Sequence, residues 1–594
     1  MDRQATIGFV LIFVLLMGWM YLNSPKPKPA DQQASKGLVT KDTTRVAEPK
    51  TQAPSEKKTT DPLGKYFSAR ATGTEQIVRI ETDLYVAEIT SKGGLLKTWE
   101  LKKYKTWNGY PVQLVDYEKK GDLSLLFTTA DGRIVNTREL YFDFGSAPRN
   151  LVLSGNNEFE ISLTLPASNG GKLVKRLRFK NGEYGFGADI EFQNLADVIT
   201  NYEYQLVWEG GLRYAEHNSV DESSFAAAYS YAGKELTEID ATKIDEVVQK
   251  EISGSVEWVG TRTKYFALAI IPSSGAADGA YLEGNHKAMP DNGALESYTV
   301  AAKIPFKGGS NEKKSFTIFL GPIDYSVLKS YKIGLENMMS LGWTWLVRPI
   351  SEYIMLPLFD FLHLLIPNWG LVIIVFSVLI KVALHPLTRS SMKSMKRMQA
   401  LQPLMDEIKE KYKDDPQKMN SAVMNLYKEY GVNPAGGCLP VLLQMPILYA
   451  LYMVFRSAID LRQAGFVWWI NDLSIPDVIY SLPFNLPLFG VKDISGLAIL
   501  MGITMFVQQK MTVKDPRQKM MVWMMPIMWV LLFMSFPSGL NLYYTVFNIL
   551  AIAQQMYMNK QGGDEPLRKI EPKKRKPGGI FRNIPSNLTK FGKK

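Results

Sequence analysis

The apolar positions of this chain fall into three patterns in succession, and each predicts a different kind of structure. Ala5 to Leu22 is an uncharged, predominantly apolar run of 18 residues, long enough to span a bilayer. Arg3 flanks it as a signal peptide's basic residue would, but no A-x-A-like cleavage site follows and no nearby cysteine could take a lipid. It is read as an uncleaved transmembrane anchor, 1–22. Residues 23–61 are rich in Pro, Lys, Thr and Gln with few large apolar side chains, a composition that cannot bury enough surface to offset ordering and predicts a disordered linker. From 62 to 335 the period becomes two. Phe159, Ile161, Leu163 and Leu165 alternate with polar residues, as do Tyr184, Phe186, Ala188, Ile190 and Phe192, and again Tyr202, Tyr204, Leu206 and Trp208. With Gly155-Asn156-Asn157 and Asn181-Gly182 as turns, this predicts one large antiparallel β-sandwich, each strand with one face to the core and one to water.

After Leu335 the pattern turns helical. Residues 336–366 are aromatic and apolar but interrupted by Arg348, Glu352, Asp360 and prolines, which suits an interfacial amphipathic helix better than a span. Five apolar runs follow, at about 369–387, 436–457, 495–510, 520–536 and 540–558. With the N-terminal anchor they predict six transmembrane helices, five of them forming a core over 367–560; the shortness of 520–536 implies local bilayer thinning or a partly hydrated bundle. Between the second and third spans, Met398, Leu401, Met405, Ile408 and Tyr412 recur at 3-4 spacing, Asp414-Asp415-Pro416 interrupts, and Met419, Val423, Leu426 and Tyr430 resume. That predicts a helical hairpin over 388–433 with a coiled-coil-like seam.

Charge then orients the chain. Its 69 Lys and Arg exceed its 58 Asp and Glu, and the excess is local. Arg389, Lys393, Lys396 and Arg397 open the hairpin loop, Lys510, Lys514, Arg517 and Lys519 crowd the next loop on that side, and Lys573-Lys574-Arg575-Lys576 stand in the tail 561–594. The intervening loop, about 458–494, has Asp460, Asp472, Asp477 and Asp493 against Arg462 and Lys492. By the positive-inside rule the basic loops and both termini are cytoplasmic and the β domain lies outside. A single cysteine, Cys438, excludes an intrachain disulfide framework, and four scattered histidines argue against a zinc enzyme. No metal, cofactor or catalytic residue is expected.

Lys381 is read as the only fully ionised side chain inside the apolar runs, with no Asp or Glu in any span to pair with it. An unpaired ammonium in hydrocarbon costs at least about 2.5–3.5 kcal/mol, so it must snorkel or face a hydrated cavity. Snorkelling is feasible, since about six residues, roughly 9 Å of helix, separate it from the cytoplasmic end. Other spans add polar side chains: Ser377 one turn before Lys381, Gln444, the pair Thr504 and Gln508, the stripe Asn541, Thr545 and Asn548, and Gln555 beyond it. Each could be interhelical hydrogen-bonding glue; together with an unpartnered cation they favour a shared hydrated groove. Cys438 is read as a small packing residue. Trp468 and Trp469 look like anchors at the outer interface.

The runs NPAGGCLPVLLQMPI (433–447), FVWWINDLS (466–474) and FPSGLNLYY (536–544), with one anchor, a large outer β domain and a five-helix core, resemble the YidC membrane protein insertase family of the Gram-negative type. The resemblance is dense over 340–560 and rests on layout elsewhere. It implies an inner-membrane insertase and chaperone that receives nascent hydrophobic segments from the cytoplasm and releases them into lipid without ATP, alone or with the Sec translocon. It also implies a positively charged hydrated groove whose usual arginine is matched here by Lys381, which keeps the charge and loses the bidentate fork. Ser377 matches a groove hydroxyl and Tyr544 a substrate-contacting position. The implied partners are nascent membrane proteins, the Sec translocon, the ribosome and the signal recognition particle receptor through the cytoplasmic loops and basic tail, and membrane lipids. Methionines along the cytoplasmic side, among them Met392, Met395, Met511, Met524 and Met525, would suit varied apolar substrates.

Other functions fit less well. A secondary transporter or channel would also have intramembrane polar groups, but no internal repeat or acidic coupling residue is visible in the spans. An intramembrane protease would need Ser377 near His385, eight residues and roughly 12 Å further along one helix. The family's outer domain resembles galactose-mutarotase-type sandwiches; no His/Glu pair there reads as catalytic, so a binding or docking role is favoured. No GxxxxGK[ST] phosphate loop occurs.

Overall fold

In a computed structural model of the chain, the described residues are 63–115, 123–432, 439–486, 490–512, 519–561 and 569. The predicted anchor 1–22, the linker 23–61, residues 433–438 with Cys438, and nearly all of the tail 561–594 lie outside them. Apart from Lys519 and Met520, the described residues belong to one compact unit, Asp61–Lys514 with Met521–Lys594.

The expected β domain is present as two sheets. The smaller has five strands in the order Pro111–Gln113, Leu95–Lys105, Tyr85–Thr90, Ile77–Glu81, Asn150–Val152, antiparallel except for the last, parallel pair. The larger has 13 strands, running from Ile134–Asn136 at one edge to Glu158–Pro166 at the other. Their inner faces share one core. Trp99 crosses it, stacked on Tyr85 of its own sheet at 3.8 Å and tilted against Phe186 of the other at 5.6 Å. The alternation holds at Glu158–Pro166, where Ile161, Leu163 and Leu165 are buried, and the hairpin turn uses Gly182 at φ +80°.

Two expectations need correction. Tyr202 is not a core residue: the register slips between Thr200 and Tyr204, φ at Tyr202 is +51° and its side chain is 76% exposed. A bulge inserts an extra residue and turns it outward. Nor is the second face of Gly185–Gln193 left to water. Asp189 and Glu191 are buried there in ion pairs with Arg178, Lys313 and Arg176. Inside the sandwich, Lys175 is 1% exposed and donates to the carbonyls of Gly93, Gly94 and Leu123 at 3.1, 3.3 and 2.8 Å. Burial lowers its pKa to about 7.

The domain does not end in a free linker. The outer face of the large sheet, with Tyr229, Trp258, Ala267, Ala269 and Phe319, is covered by Leu335, Met338 and Leu341, and the same cluster continues into the helices. The Trp258 indole donates to Ile333 O at 3.0 Å, and the buried Arg262 guanidinium donates to the carbonyls of Thr263, Lys264 and Met338. A helical turn Val347–Ile350 and a π-type turn Ser351–Met355 lead into α1 (Leu356–Leu365). This is the predicted interfacial segment; two of its polar residues pair with each other, while Asp360 is exposed. Arg348 Nε pairs with Glu352 Oε1 at 2.6 Å, leaving Tyr353, Ile354, Phe361 and Leu364 exposed.

Next come α2 (Trp369–Ala383), α3 (His385–Ala400), α4 (Gln402–Lys411), α5 (Pro416–Glu429), α6 (Leu439–Ser457), α7 (Gly496–Thr512), α8 (Lys519–Phe533) and α9 (Ser538–Gln561). The five predicted core runs thus appear as α2 and α6 to α9, of 15, 19, 17, 15 and 24 residues. Among the described residues no single helix is both long and apolar enough to cross a membrane by composition; α2 and α3 meet that measure together, bent by 60°. The bend follows from Pro386 in the first turn of α3, which disfavours continuing α2 straight through. α4 and α5 form the expected hairpin around Leu401, Met405, Leu426 and Val432. Tyr412, Met419 and Val423 of the predicted seam stand outside that cluster.

Arg456 in the last turn of α6 and Arg462 in the loop just beyond it plug into the β domain. Asp221 receives Lys264 Nζ at 2.7 Å and also pairs with Arg456, whose guanidinium lies 4.6 Å from the Phe225 ring. Arg462, with its side chain 2% exposed, bonds Glu216 Oε1 at 2.6 Å. Its Nη2 and the Gln463 amide both donate to Lys105 O. Lys264 and Arg456 hold the Asp221 carboxyl below its ordinary pKa, against the opposing effect of burial. Behind this clasp, the fully buried Glu222 carboxylate accepts the backbone N–H of Ala215 and Glu216, positioning Glu216 for Arg462.

Removing one partner of such a half-buried cluster leaves the others without it, a loss of about 1–3 kcal/mol. Asp221→Asn and Arg456→Gln are therefore expected to lower the thermal midpoint of the full chain in detergent, and the double variant to lose much less than their sum. Strict additivity would show that the pair does not interact. Glu222 gives a pH test. Burial raises its pKa to about 8, so folding favours the protonated form, and its contribution declines as pH rises from the unfolded value near 4.3 through 8. Glu222→Gln should flatten the fall in stability across that window and gain more at pH 8 than at pH 5.

Candidate functional site

The predicted groove residues lie mainly where α2, α7 and α9 pack together, in a core shared with α6. Lys381 is 9% exposed near the end of α2. Its ammonium has no hydrogen bond or ion pair among the described residues, and its near neighbour is the Phe547 ring of α9, with Nζ 4.2 Å from the centroid. An aromatic column runs from there: Phe547 to Tyr543 at 5.8 Å, Tyr543 to Phe376 at 6.2 Å, and Phe376 stacked on Phe359 at 4.5 Å.

The hydroxyls in the site largely serve their own helices. Ser377, fully buried, donates to Ile373 O at 2.7 Å, Thr545 to Asn541 O at 2.8 Å and Thr504 to Met501 O at 2.7 Å. Such back-bonding satisfies a hydroxyl without a neighbouring helix. The amides reach further. Asn548 Nδ2 donates across to Thr504 Oγ1 at 3.3 Å, and Asn541 Nδ2 to Phe533 O at 3.2 Å. Gln444 and Gln508 are half-buried on α6 and α7, and the Gln555 amide turns along α9 to Asn559. Tyr544 is half-buried edge-on to Phe533 at 5.4 Å. Three buried polar atoms of α9 have no partner among the described residues: the Tyr543 hydroxyl, Asn541 Oδ1 and Gln554 Oε1.

The site therefore brings together Lys381, Ser377, Thr504, Asn541, Thr545 and Asn548 as buried groups and leaves Gln444, Gln508 and Tyr544 partly open. Lys381 is not the only ion inside the runs: Lys510 stands in the last turn of α7, and Arg456 in the last turn of α6. Sequence reasoning missed it because the run 436–457 reads as uniformly apolar up to its end, and its partner Asp221 lies 235 residues away. Phe547 also escaped notice, since an aromatic residue in an apolar helix carries no signal of a nearby cation. His385 is bonded to the Gln554 side chain at 3.0 Å, which leaves no Ser377–His385 pair. Of the two predicted anchors, Trp468 is 85% exposed, whereas the Trp469 indole donates to Asp477 Oδ2 at 2.8 Å and fixes the loop to the start of α7. Among the described residues, no group of three or more His, Cys, Asp or Glu is placed to hold a metal ion.

Residues 361–565 match the family described as 60Kd inner membrane protein, and residues 77–353 match the YidC periplasmic domain. A membrane protein insertase YidC from Chlorobaculum parvum is 41% identical over 571 residues, 95% of this chain and 96% of that protein. One from Chlorobium phaeovibrioides is 40% identical over 590 residues, 98% of this chain and 100% of that protein. Among solved structures, an active YidC insertase with its first transmembrane domain resolved covers 83% of this chain at 19% identity and a TM-score of 0.35. A putative aldose 1-epimerase from Escherichia coli covers 42% at 8% identity and 0.27. At those TM-scores neither likeness bears on the fold.

The division between local and interhelical hydrogen bonds is measurable. Asn548→Ala and Thr504→Val should each destabilise the bundle by roughly 1 kcal/mol and be strongly non-additive, whereas Ser377→Ala and Thr545→Val should stay within about 0.5 kcal/mol of the parent chain. Equal losses in all four, read as thermal midpoints in detergent, would contradict the assignment.

Proposed function

We propose, from the premise that this chain belongs to the YidC family of membrane protein insertases, that it inserts nascent membrane segments through a hydrated, positively charged groove. In this reading Lys381 is the groove cation, Ser377, Gln444, Thr504, Gln508, Asn541, Thr545 and Asn548 line its polar wall, and Tyr544 touches the substrate. The chain is an inner-membrane protein with a periplasmic β-sandwich domain.

The observation that carries the reading is the Lys381 ammonium, buried with no carboxylate and no hydrogen-bond acceptor among the described residues. A dry interior would leave that cation, the Tyr543 hydroxyl and Asn541 Oδ1 unsatisfied together, each at a cost of up to several kcal/mol. Water in the groove removes the penalty and lowers the cost of moving a polar flank through the membrane. Lys381 attracts acidic groups of the passing segment and holds them transiently, because no fixed anion competes. The apolar part then partitions into lipid, and that transfer drives the process without nucleotide. No residue is assigned a catalytic role.

The orientation has independent support. The C-terminal end of α6 is clasped to the β domain through Arg456 and Arg462, which supports that end facing the periplasm. Lys396 of α3 donates to Met558 O near the end of α9 at 2.7 Å, which fits the hairpin and the C-terminus sharing the opposite, cytoplasmic side. The full account has six spans with both termini cytoplasmic. Cooperation with the Sec translocon and recruitment of ribosomes, the signal recognition particle receptor or anionic lipid by the hairpin and basic tail extend the same proposal.

The test compares Lys381→Arg, Lys381→Gln and Lys381→Glu at normal expression, using a substrate with an acidic translocated segment. Arg should insert near the parent level, Gln should lose most activity and Glu more. Equal insertion by all three would sink the cation's role. Water-soluble maleimide should modify single cysteines at 377, 508 or 548 in a Cys438→Ser background; no labelling at any of them would favour helix glue over a hydrated groove.

A further inference from the structure

The structure shows how a cation can be kept inside the bundle without being neutralised. Lys381 Nζ lies 4.2 Å from the centroid of the Phe547 ring, which is 6% exposed. A cation this close to a ring face is attracted by the ring quadrupole, most strongly where water is scarce. Phe547 is itself held by the aromatic column through Tyr543 and Phe376, which ties α9 to α2. Resting on the reading of Lys381 as the groove cation, we propose that Phe547 is a positioning residue that holds the ammonium inside the groove until an acidic side chain of the substrate takes it over.

Two physical contrasts support this role. A carboxylate in the place of Phe547 would bind the ammonium more tightly, cancel its field and have to be displaced by every substrate. A ring holds the cation and leaves its full charge exposed to an incoming anion. A small aliphatic side chain would offer no attraction, and the flexible lysine stem would let the ammonium snorkel toward the nearby cytoplasmic surface. Phe547 stands one turn beyond Tyr544 on α9, so the position that would touch the substrate and the ring that positions the cation belong to one stretch of helix. The selected substrates would be segments carrying Asp or Glu next to an apolar stretch.

The experiment uses the full chain in lipid nanodiscs and in cells, with Phe547→Leu, Phe547→Trp and Lys381→Gln. The first readout is the rate at which a water-soluble acylating reagent modifies the Lys381 amine, followed by mass spectrometry. Phe547→Leu should raise that rate at least about threefold and Phe547→Trp should keep it near the parent value. The second is the ratio of insertion of an acidic translocated segment to that of its neutral counterpart. Leu should lower that ratio and Trp should largely preserve it. Leu matching the parent chain in both readouts would overturn the proposal, as would Trp behaving like Leu, which would leave only shape. If Lys381→Gln inserts the acidic substrate as well as the parent, the groove reading fails and the functional role of Phe547 with it. The acylation rate then still shows whether the ring holds the amine, so the two failures are told apart.

Discussion

The bundle is organised around a charge that the chain does not cancel. Lys381 sits 9% exposed between α2 and α9, with an aromatic ring as its neighbour and no acid within reach among the described residues. In a soluble core such a group would demand a counter-ion, and in hydrocarbon it would demand more. Around it stand a ring that attracts without neutralising, buried polar atoms on α9 without a partner among the described residues, and hydroxyls tied to their own helices.

The arginine in the last turn of α6 obeys the opposite rule. Arg456 is fully committed, to Asp221 and to Tyr452 Oη at 2.8 Å, and Arg462 to Glu216. Each of these cations is matched by a carboxylate of the β domain. The clasp fixes the C-terminal end of α6, while Lys381 has no such partner among the described residues.

Much of this was legible in the sequence where the signal is local. Period-two alternation located Glu158–Pro166 and Gly185–Gln193, apolar run length located α2 and α6 to α9, and an unpaired lysine in an apolar helix singled out Lys381. What escaped depends on distant partners. Tyr202 kept the alternation, yet a bulge turned it out. Asp189 and Glu191 looked solvated until the neighbouring strands supplied Arg176, Arg178 and Lys313. Arg456 looked incidental because Asp221 belongs to another domain, and Phe547 because aromatic residues in apolar helices are ordinary. Among the polar residues of the helices, only the three-dimensional arrangement separated Asn548, which bonds across to α7, from Ser377 and Thr545, which bond backwards.

The central claim, that a nascent segment meets the unpaired cation inside this bundle, is tested most directly by a photo-crosslinker placed at position 544 and challenged with a ribosome-stalled membrane segment. The account predicts a cross-link to the segment that is strongest when an acidic residue is passing and that falls when Lys381 is changed to Glu. Absence of a cross-link to any nascent segment, with the chain folded and in the membrane, would contradict it.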